Sequence, residues 1–77
     1  MSVEPRQLID IAKNVLRMMG VHDATNVKVT SASKKEFLWL VNFSYQKLGG
    51  FVTYDGCYKL DAQTEEIMGM WLNRQWK

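Results

Sequence analysis

The chain has 77 residues, of which 47% are hydrophobic and 23% charged, and its formal net charge is +2. This composition excludes a disordered chain, a collagen-like repeat and a disulfide scaffold, and the length predicts a single domain, residues 1–77. The one cysteine, Cys57, excludes an internal disulfide, and no apolar run approaches the about 20 residues that span a bilayer. We expect a soluble protein, cytoplasmic by default, although removal of a native leader would leave the same sequence.

Residues 5–19 have the pattern of an amphipathic helix. Apolar side chains recur at helical spacing on one side, and charged or amide side chains populate the other. Pro5 suits the first turn, where its missing N–H costs nothing, and Gly20 stands where a left-handed cap ends a helix. The pattern therefore predicts one helix that begins at Pro5 and ends before Gly20.

After Gly20 the apolar period changes from 3.6 to two residues, which indicates strands. Val27 and Val29 predict a short first strand, and residues 31–35 are polar and turn-like. The strongest strand pattern of the chain comes next. Its apolar side chains, all on one face, are Phe37, Trp39, Val41, Phe43 and Tyr45.

The second half of the chain predicts further strands. Gly49-Gly50 turns the chain, and residues 51–54 return as a strand. Asp55-Gly56 is either a tight two-residue turn or a bulge, and the pattern leaves both open. Residues 57–60 are extended, and residues 61–65 form a polar turn.

The last segment fits either a helix or a strand. A helical stripe would contain Ile67, Met70 and Trp71, whereas a two-residue period contains Met68, Met70, Leu72 and Trp76. Gly69 is unfavourable inside a helix, and a turn precedes the segment, so we favour a strand. The predicted fold class is α+β: one N-terminal helix packed on an antiparallel β-sheet meander, αββββ, in two layers.

The stretch from Asp55 to Ile67 resembles the closing hairpin of PepSY-type domains, whose layout is αββββ or cystatin-like. In that family a strand ends in an Asp-Ala-x-Thr-Gly turn, and the chain resumes with Glu and an aliphatic residue. Here Glu65 replaces the usual Gly. The residues that match are Asp61, Ala62, Thr64, Glu66 and Ile67. Residues 38–43 resemble the aromatic-rich middle strand, and the helix that ends at Gly20 resembles the first helix of the family.

The resemblance implies a non-catalytic, secreted or envelope-associated domain that binds or restrains a protein partner such as a peptidase. No peptidase or membrane region accompanies the motif in these 77 residues, so the implied fold carries more weight than the implied function. O-type gas-vesicle accessory proteins also end in a similar strand-turn-strand, followed by an arginine and aromatic residues, which Arg74-Gln75-Trp76 resembles here.

Cys57, His22 and Asp23 are the residues from which a nucleophilic site could be built. Such a site needs a thiol and a base within hydrogen-bond reach, and nothing in the sequence brings them together. One cysteine and one histidine are also too few for a structural zinc site. The acidic residues, which turns flank and water is expected to hydrate, are Asp55, Asp61, Glu65 and Glu66. We predict no enzyme, no metal and no cofactor.

A single-stranded nucleic-acid-binding protein is the alternative function. Aromatic side chains stack on bases, and cations hold the phosphate backbone. The residues that would do so are Trp39, Trp71, Trp76, Lys34, Lys35, Arg74 and Lys77. Because eight acidic residues offset the ten basic ones, nucleic acid ranks below protein as a partner.

The apolar side chains exceed what one helix can cover. A helix of about 15 residues is about 22 Å long and about 10 Å wide, so it shields one face of the sheet. The expected inward residues are Phe37, Trp39, Val41, Phe43, Met68, Met70 and Leu72, and the expected outward residues are Leu38, Leu40, Ile67 and Trp71. We predict that the outward four form an interface with a protein partner or a second copy. They would not do so if they fail to cluster, or if a C-terminal helix covers them.

Overall fold

The computed structural model describes residues 5–72. One helix precedes four strands: α1 (Pro5–Met18), β1 (Ala24–Lys35), β2 (Leu38–Lys47), β3 (Thr53–Asp61) and β4 (Ile67–Leu72). Each strand pairs antiparallel with the next, so the open sheet has the order β1-β2-β3-β4. The predicted α+β fold with its αββββ order is confirmed, and the ambiguous last segment is a strand.

The helix ends as its sequence predicts. Gly20 has a φ of +86°, and the N–H of Val21 donates to the carbonyl of Leu16 at 2.8 Å, which closes the last turn. The helix packs chiefly against β1. Its buried side chains are Leu8, Ala12, Val15 and Leu16.

We term the sheet face that α1 covers the inner face and the opposite one the outer face. The buried inner-face residues of the sheet are Val41, Phe43, Tyr45, Tyr58 and Leu60. The ring of Phe43 lies 6.3 Å from that of Tyr45 and 6.1 Å from that of Tyr58, measured between centroids. Below the helix, the Tyr58 hydroxyl donates to the carbonyl of Leu8 at 2.8 Å, which ties the start of α1 to β3.

The turn predicted at residues 31–35 is wrong, because this segment is the second half of β1. Lys35 pairs with Leu38 across a two-residue turn, and the pairing continues along β2. All five residues are exposed, so the segment lacks the apolar alternation that identifies a half-buried strand. Phe37 was predicted on the inner face but lies in the turn itself and is 56% exposed.

Asp55 and Gly56 lie inside β3, so neither the predicted turn nor the predicted bulge forms. They pair with Ser44 and Phe43 in an uninterrupted register. A Cβ atom at Gly56 would lie 2.6 Å from Cε2 of Phe43 and still closer to its Cζ. Glycine is therefore required here to make room for an aromatic ring, and not to turn the chain.

A bulge in β4 reverses two predicted orientations. Lys59 pairs with Gly69 but Leu60 pairs with Ile67, so Met68 is the extra residue. Ile67 packs against the core instead of facing outward, and Met68 is exposed instead of buried. The residues after the bulge that pack against the core as predicted are Met70 and Leu72.

The polar turn between β3 and β4 is confirmed. The backbone N–H groups of Gln63 and Thr64 donate to Oδ1 of Asp61 at 2.8 and 3.2 Å. Glu65 follows with a φ of +61°, a left-handed conformation that glycine adopts more easily. Asp61 therefore organises the turn, and Glu65 is the residue in it whose backbone is strained.

Candidate functional site

The outer face of the sheet carries the predicted interface. Leu40 lies opposite Lys59 on β3, and Cys57 lies opposite Trp71 on β4. Paired residues share a face of a sheet, and successive residues alternate between faces. These four residues, with Leu38, therefore lie on the side of the sheet away from α1.

Three of the four predicted interface residues are exposed on this face. The exposed fraction is 38% for Leu38, 37% for Leu40 and 38% for Trp71. We term these three residues the outer patch. The fourth, Ile67, packs on the inner face because of the bulge at Met68 and does not belong to the patch.

The indole of Trp71 is held against the sheet. Nζ of Lys59 lies 5.9 Å from the ring centroid, within range of a cation–π contact. A Cβ atom at Gly69 would lie 3.7 Å from Cζ3 of Trp71, so the ring leans over the glycine. The remaining indole surface faces outward, where a partner can contact it.

Charged residues of both signs border the outer patch. The strand pairing places Lys35 and Asp61 on either side of Leu38, and Lys59 beside Leu40. Asp55, opposite Ser44, lies further along the same face. The outer patch is therefore bordered by charges of both signs, and Lys59 lies within it, between Leu40 on β2 and Gly69 on β4.

Cys57 is buried on the outer face between its neighbours in β2 and β4. Burial raises the pKa of its thiol, and the nearby charge of Lys59 lowers it to a smaller extent. A raised pKa disfavours the thiolate, which is the nucleophilic form of cysteine. His22 and Asp23 lie in the connector before β1, two strands away from β3. The three residues of the hypothetical nucleophilic site are thus not gathered in one place.

The residues predicted for nucleic-acid binding are likewise divided. Lys35 and Trp71 lie on the outer face, whereas Lys34 is paired with Trp39 on the inner one. The indole N–H of Trp39 is buried and has no hydrogen-bond partner among residues 5–72. The remaining predicted residues, Arg74, Trp76 and Lys77, lie outside the described residues.

Residues 5–72 contain neither a metal-binding cluster nor a membrane-spanning helix. No group of three or more histidine, cysteine or acidic side chains there is arranged to hold a metal ion. Within the same range, no helix has the length and hydropathy that a membrane crossing requires.

The loop between β2 and β3 is a candidate site that was not predicted from the sequence. Gly49-Gly50 predicts a turn there, but no role was assigned to the large apolar residues on either side. Leu48 and Phe51 are among the most exposed apolar side chains of the described residues. A pair of bulky apolar residues that flanks a glycine turn is the signal that could have identified this tip.

Comparison of the chain with family models, with curated proteins and with solved structures gives no match. What the protein does must therefore be inferred from its own residues.

Proposed function

We propose that this protein is a non-catalytic protein-interaction domain that binds through the outer patch. The exposure of Leu38, Leu40 and Trp71 on the sheet face opposite α1 carries the proposal. Scattered exposed apolar residues are normal, but apolar residues grouped on one face mark interaction sites. The single helix lies on the inner face and leaves the patch open to a partner.

A second copy of the chain is the partner that the patch fits best. The outer face that carries the patch also contains the lysines Lys35 and Lys59 and the aspartates Asp55 and Asp61. In a two-fold arrangement the same surface meets itself, so charges of opposite sign in the two copies can be brought together. Two such sheets pack about 10 Å apart with their apolar side chains between them.

The two sheet edges also differ in a way that favours association near β4. β1 contains three lysines and two register shifts, which discourage the approach of another strand. β4 contains no charged residue. A partner bound to the outer patch therefore contacts an uncharged edge beside Trp71.

An accessory or inhibitory role, which the PepSY resemblance implies, would use the same surface.

Sedimentation velocity over a concentration series tests the proposal. Wild type is expected to form a dimer, and Leu40→Glu is expected to weaken it about tenfold or more because an apolar contact would be replaced by a carboxylate that must lose its hydration. Asn14→Glu is the matched control, since it adds the same charge on an exposed position of α1. A wild-type protein that stays monomeric at every concentration, or equal weakening by both variants, would refute self-association through the patch.

One contact favours a second candidate function, the binding of single-stranded nucleic acid. The exposed indole of Trp71 lies 5.9 Å from Nζ of Lys59, and aromatic rings combined with cations bind single strands. Against this, Lys59 occupies the ring surface on which a base would stack, and Asp55 and Asp61 lie on the same face. Salt-sensitive quenching of tryptophan fluorescence by oligothymidine, lost in Trp71→Leu, would support it, whereas no quenching at low salt would dismiss it.

A further inference from the structure

The loop between β2 and β3 ends in an apolar tip. Leu48 is 76% exposed and Phe51 is 96% exposed, with Gly49 and Gly50 between them. Gly49 has a φ of +79°, and the N–H of Gly50 donates to the carbonyl of Lys47 at 2.8 Å, so the tip is a defined turn. Neither apolar side chain takes part in the core.

The base of the tip is fixed to the rest of the molecule. The N–H of Leu48 donates to the carbonyl of Asp23 at 2.8 Å, and Lys47 pairs with Ala24 at the start of β1. The end of α1 therefore lies at the same end of the molecule as the tip. Met18 and Met19, both exposed, add further apolar surface there.

Charge is distributed unevenly between the two ends of the molecule, which measures 37 × 21 × 19 Å. The far end, formed by the β1–β2 and β3–β4 turns, contains two lysines and four carboxylates. These residues are Lys34, Lys35, Glu36, Asp61, Glu65 and Glu66. The tip end contains Arg17 and Lys47 with one carboxylate, Asp23. A negatively charged surface would therefore attract the tip and repel the far end.

We infer that this tip anchors the protein peripherally to an anionic lipid surface by inserting Phe51 and Leu48. Residues 48–52 contain no polar side chain that could make directional hydrogen bonds to a protein partner. Peripheral binding to an anionic lipid surface requires apolar side chains that insert about 5–10 Å into the headgroup region, and cations that lie beside them. Lys47 and Arg17 are placed to supply the cations. The inference does not depend on the proposed function, because the outer patch lies on a face of the sheet and not at its end.

Cosedimentation of the full chain with vesicles tests the inference. The protein is expected to bind vesicles of phosphatidylcholine with added phosphatidylserine, to bind phosphatidylcholine alone more weakly, and to dissociate as salt is added. Phe51→Ser is expected to lower the partition coefficient by about tenfold to hundredfold, and Leu48→Ser by a similar or smaller factor. Both side chains are exposed, so neither change should unfold the protein.

Phe37→Ser is the matched control, because Phe37 is also an exposed aromatic residue but lies in the turn at the opposite end. This variant should bind vesicles as wild type does. Absence of binding to the anionic vesicles would overturn the inference, as would an equal loss in Phe37→Ser. Either result would leave self-association through the outer patch unaffected.

Discussion

On the inner face of β2 and β3, Phe43, Tyr45 and Tyr58 are almost completely buried, whereas on the outer face Leu38 and Leu40 remain more than a third exposed. The outer face of these strands is also the more polar one, because Asn42, Lys59 and Asp61 lie on it beside the two leucines. The helix α1 packs on the inner face. Hydropathy and packing therefore act together: the strand residues that face α1 are apolar and buried, whereas the two outer leucines stay exposed among polar neighbours.

Truncation of the inner-face aromatic residue should have the largest effect. Phe43→Ala is expected to reduce the free energy of unfolding by about 3–5 kcal/mol, because it removes a fully buried ring from the core. A domain of this size has roughly 3–5 kcal/mol in total, so the variant should be largely unfolded at 25 °C. Leu40→Ala on the outer face should cost less than about 1 kcal/mol. Urea titration followed by circular dichroism measures both, and similar losses would contradict the distinction between the faces.

Two strand glycines offer a second test of the same distinction. Gly56→Ala is expected to destabilise the protein by about 1–3 kcal/mol, because the added Cβ would collide with the buried ring of Phe43. Gly69→Ala is expected to be neutral or to stabilise by up to about 0.5 kcal/mol, since the added Cβ would lie at an ordinary contact distance of 3.7 Å from Cζ3 of Trp71. The two melting temperatures should therefore move in opposite directions or differ clearly. Equal shifts would mean that Phe43 has room to move.

The hydrogen bond that ties the helix to the sheet should contribute less. Tyr58→Phe removes the donor to the Leu8 carbonyl and is expected to cost about 1 kcal/mol. Tyr54→Phe, a half-buried residue of the same strand, provides a control that should lie within about 0.5 kcal/mol of wild type. Chemical unfolding of the two variants under one condition gives the comparison. If Tyr58→Phe is as stable as wild type, the bond does not anchor the helix.

The thiol of Cys57 should produce the smallest effect, and a pH-dependent one. Its pKa in the folded protein is raised above the ordinary value of 9.0, chiefly by burial. The folded state therefore binds the thiol proton more tightly than the unfolded state does. The contribution of this proton to the free energy of unfolding is present below the ordinary pKa and is lost as the pH rises through the pKa of the folded protein. Iodoacetamide should alkylate the native thiol slowly at neutral pH and the urea-unfolded thiol faster. Rapid alkylation of the native protein at neutral pH would instead revive the nucleophile hypothesis.

Elements with a strong local period were predictable from the sequence. The apolar stripe of α1 identifies a helix and the alternation of β2 identifies a strand, because each pattern repeats within two to four residues along the chain. Two of the failures arise from tertiary contacts and strand pairing that the local pattern does not reveal. Gly56 was interpreted as a turn residue, yet Phe43 is what requires it. Ile67 was placed outward because no local signal reveals the bulge at Met68.

For the candidate site, three of the four predicted residues lie on the predicted face, and their role as an interface stays a prediction. Leu38 and Leu40 could be assigned to the outer face because β2 alternates regularly around its buried residues. The tip formed by Leu48 and Phe51 was not predicted, because exposure of a loop residue depends on what the rest of the chain packs beside it.

The order and kind of the elements, one amphipathic helix followed by alternating strands, were determined by the sequence alone, because local spacing sets which residues share a side. Where the register shifts and which apolar residues remain in water were decided only by the tertiary structure. The physical reason is that a single helix covers one face of a four-stranded sheet, and only the assembled layers determine which side chains it covers.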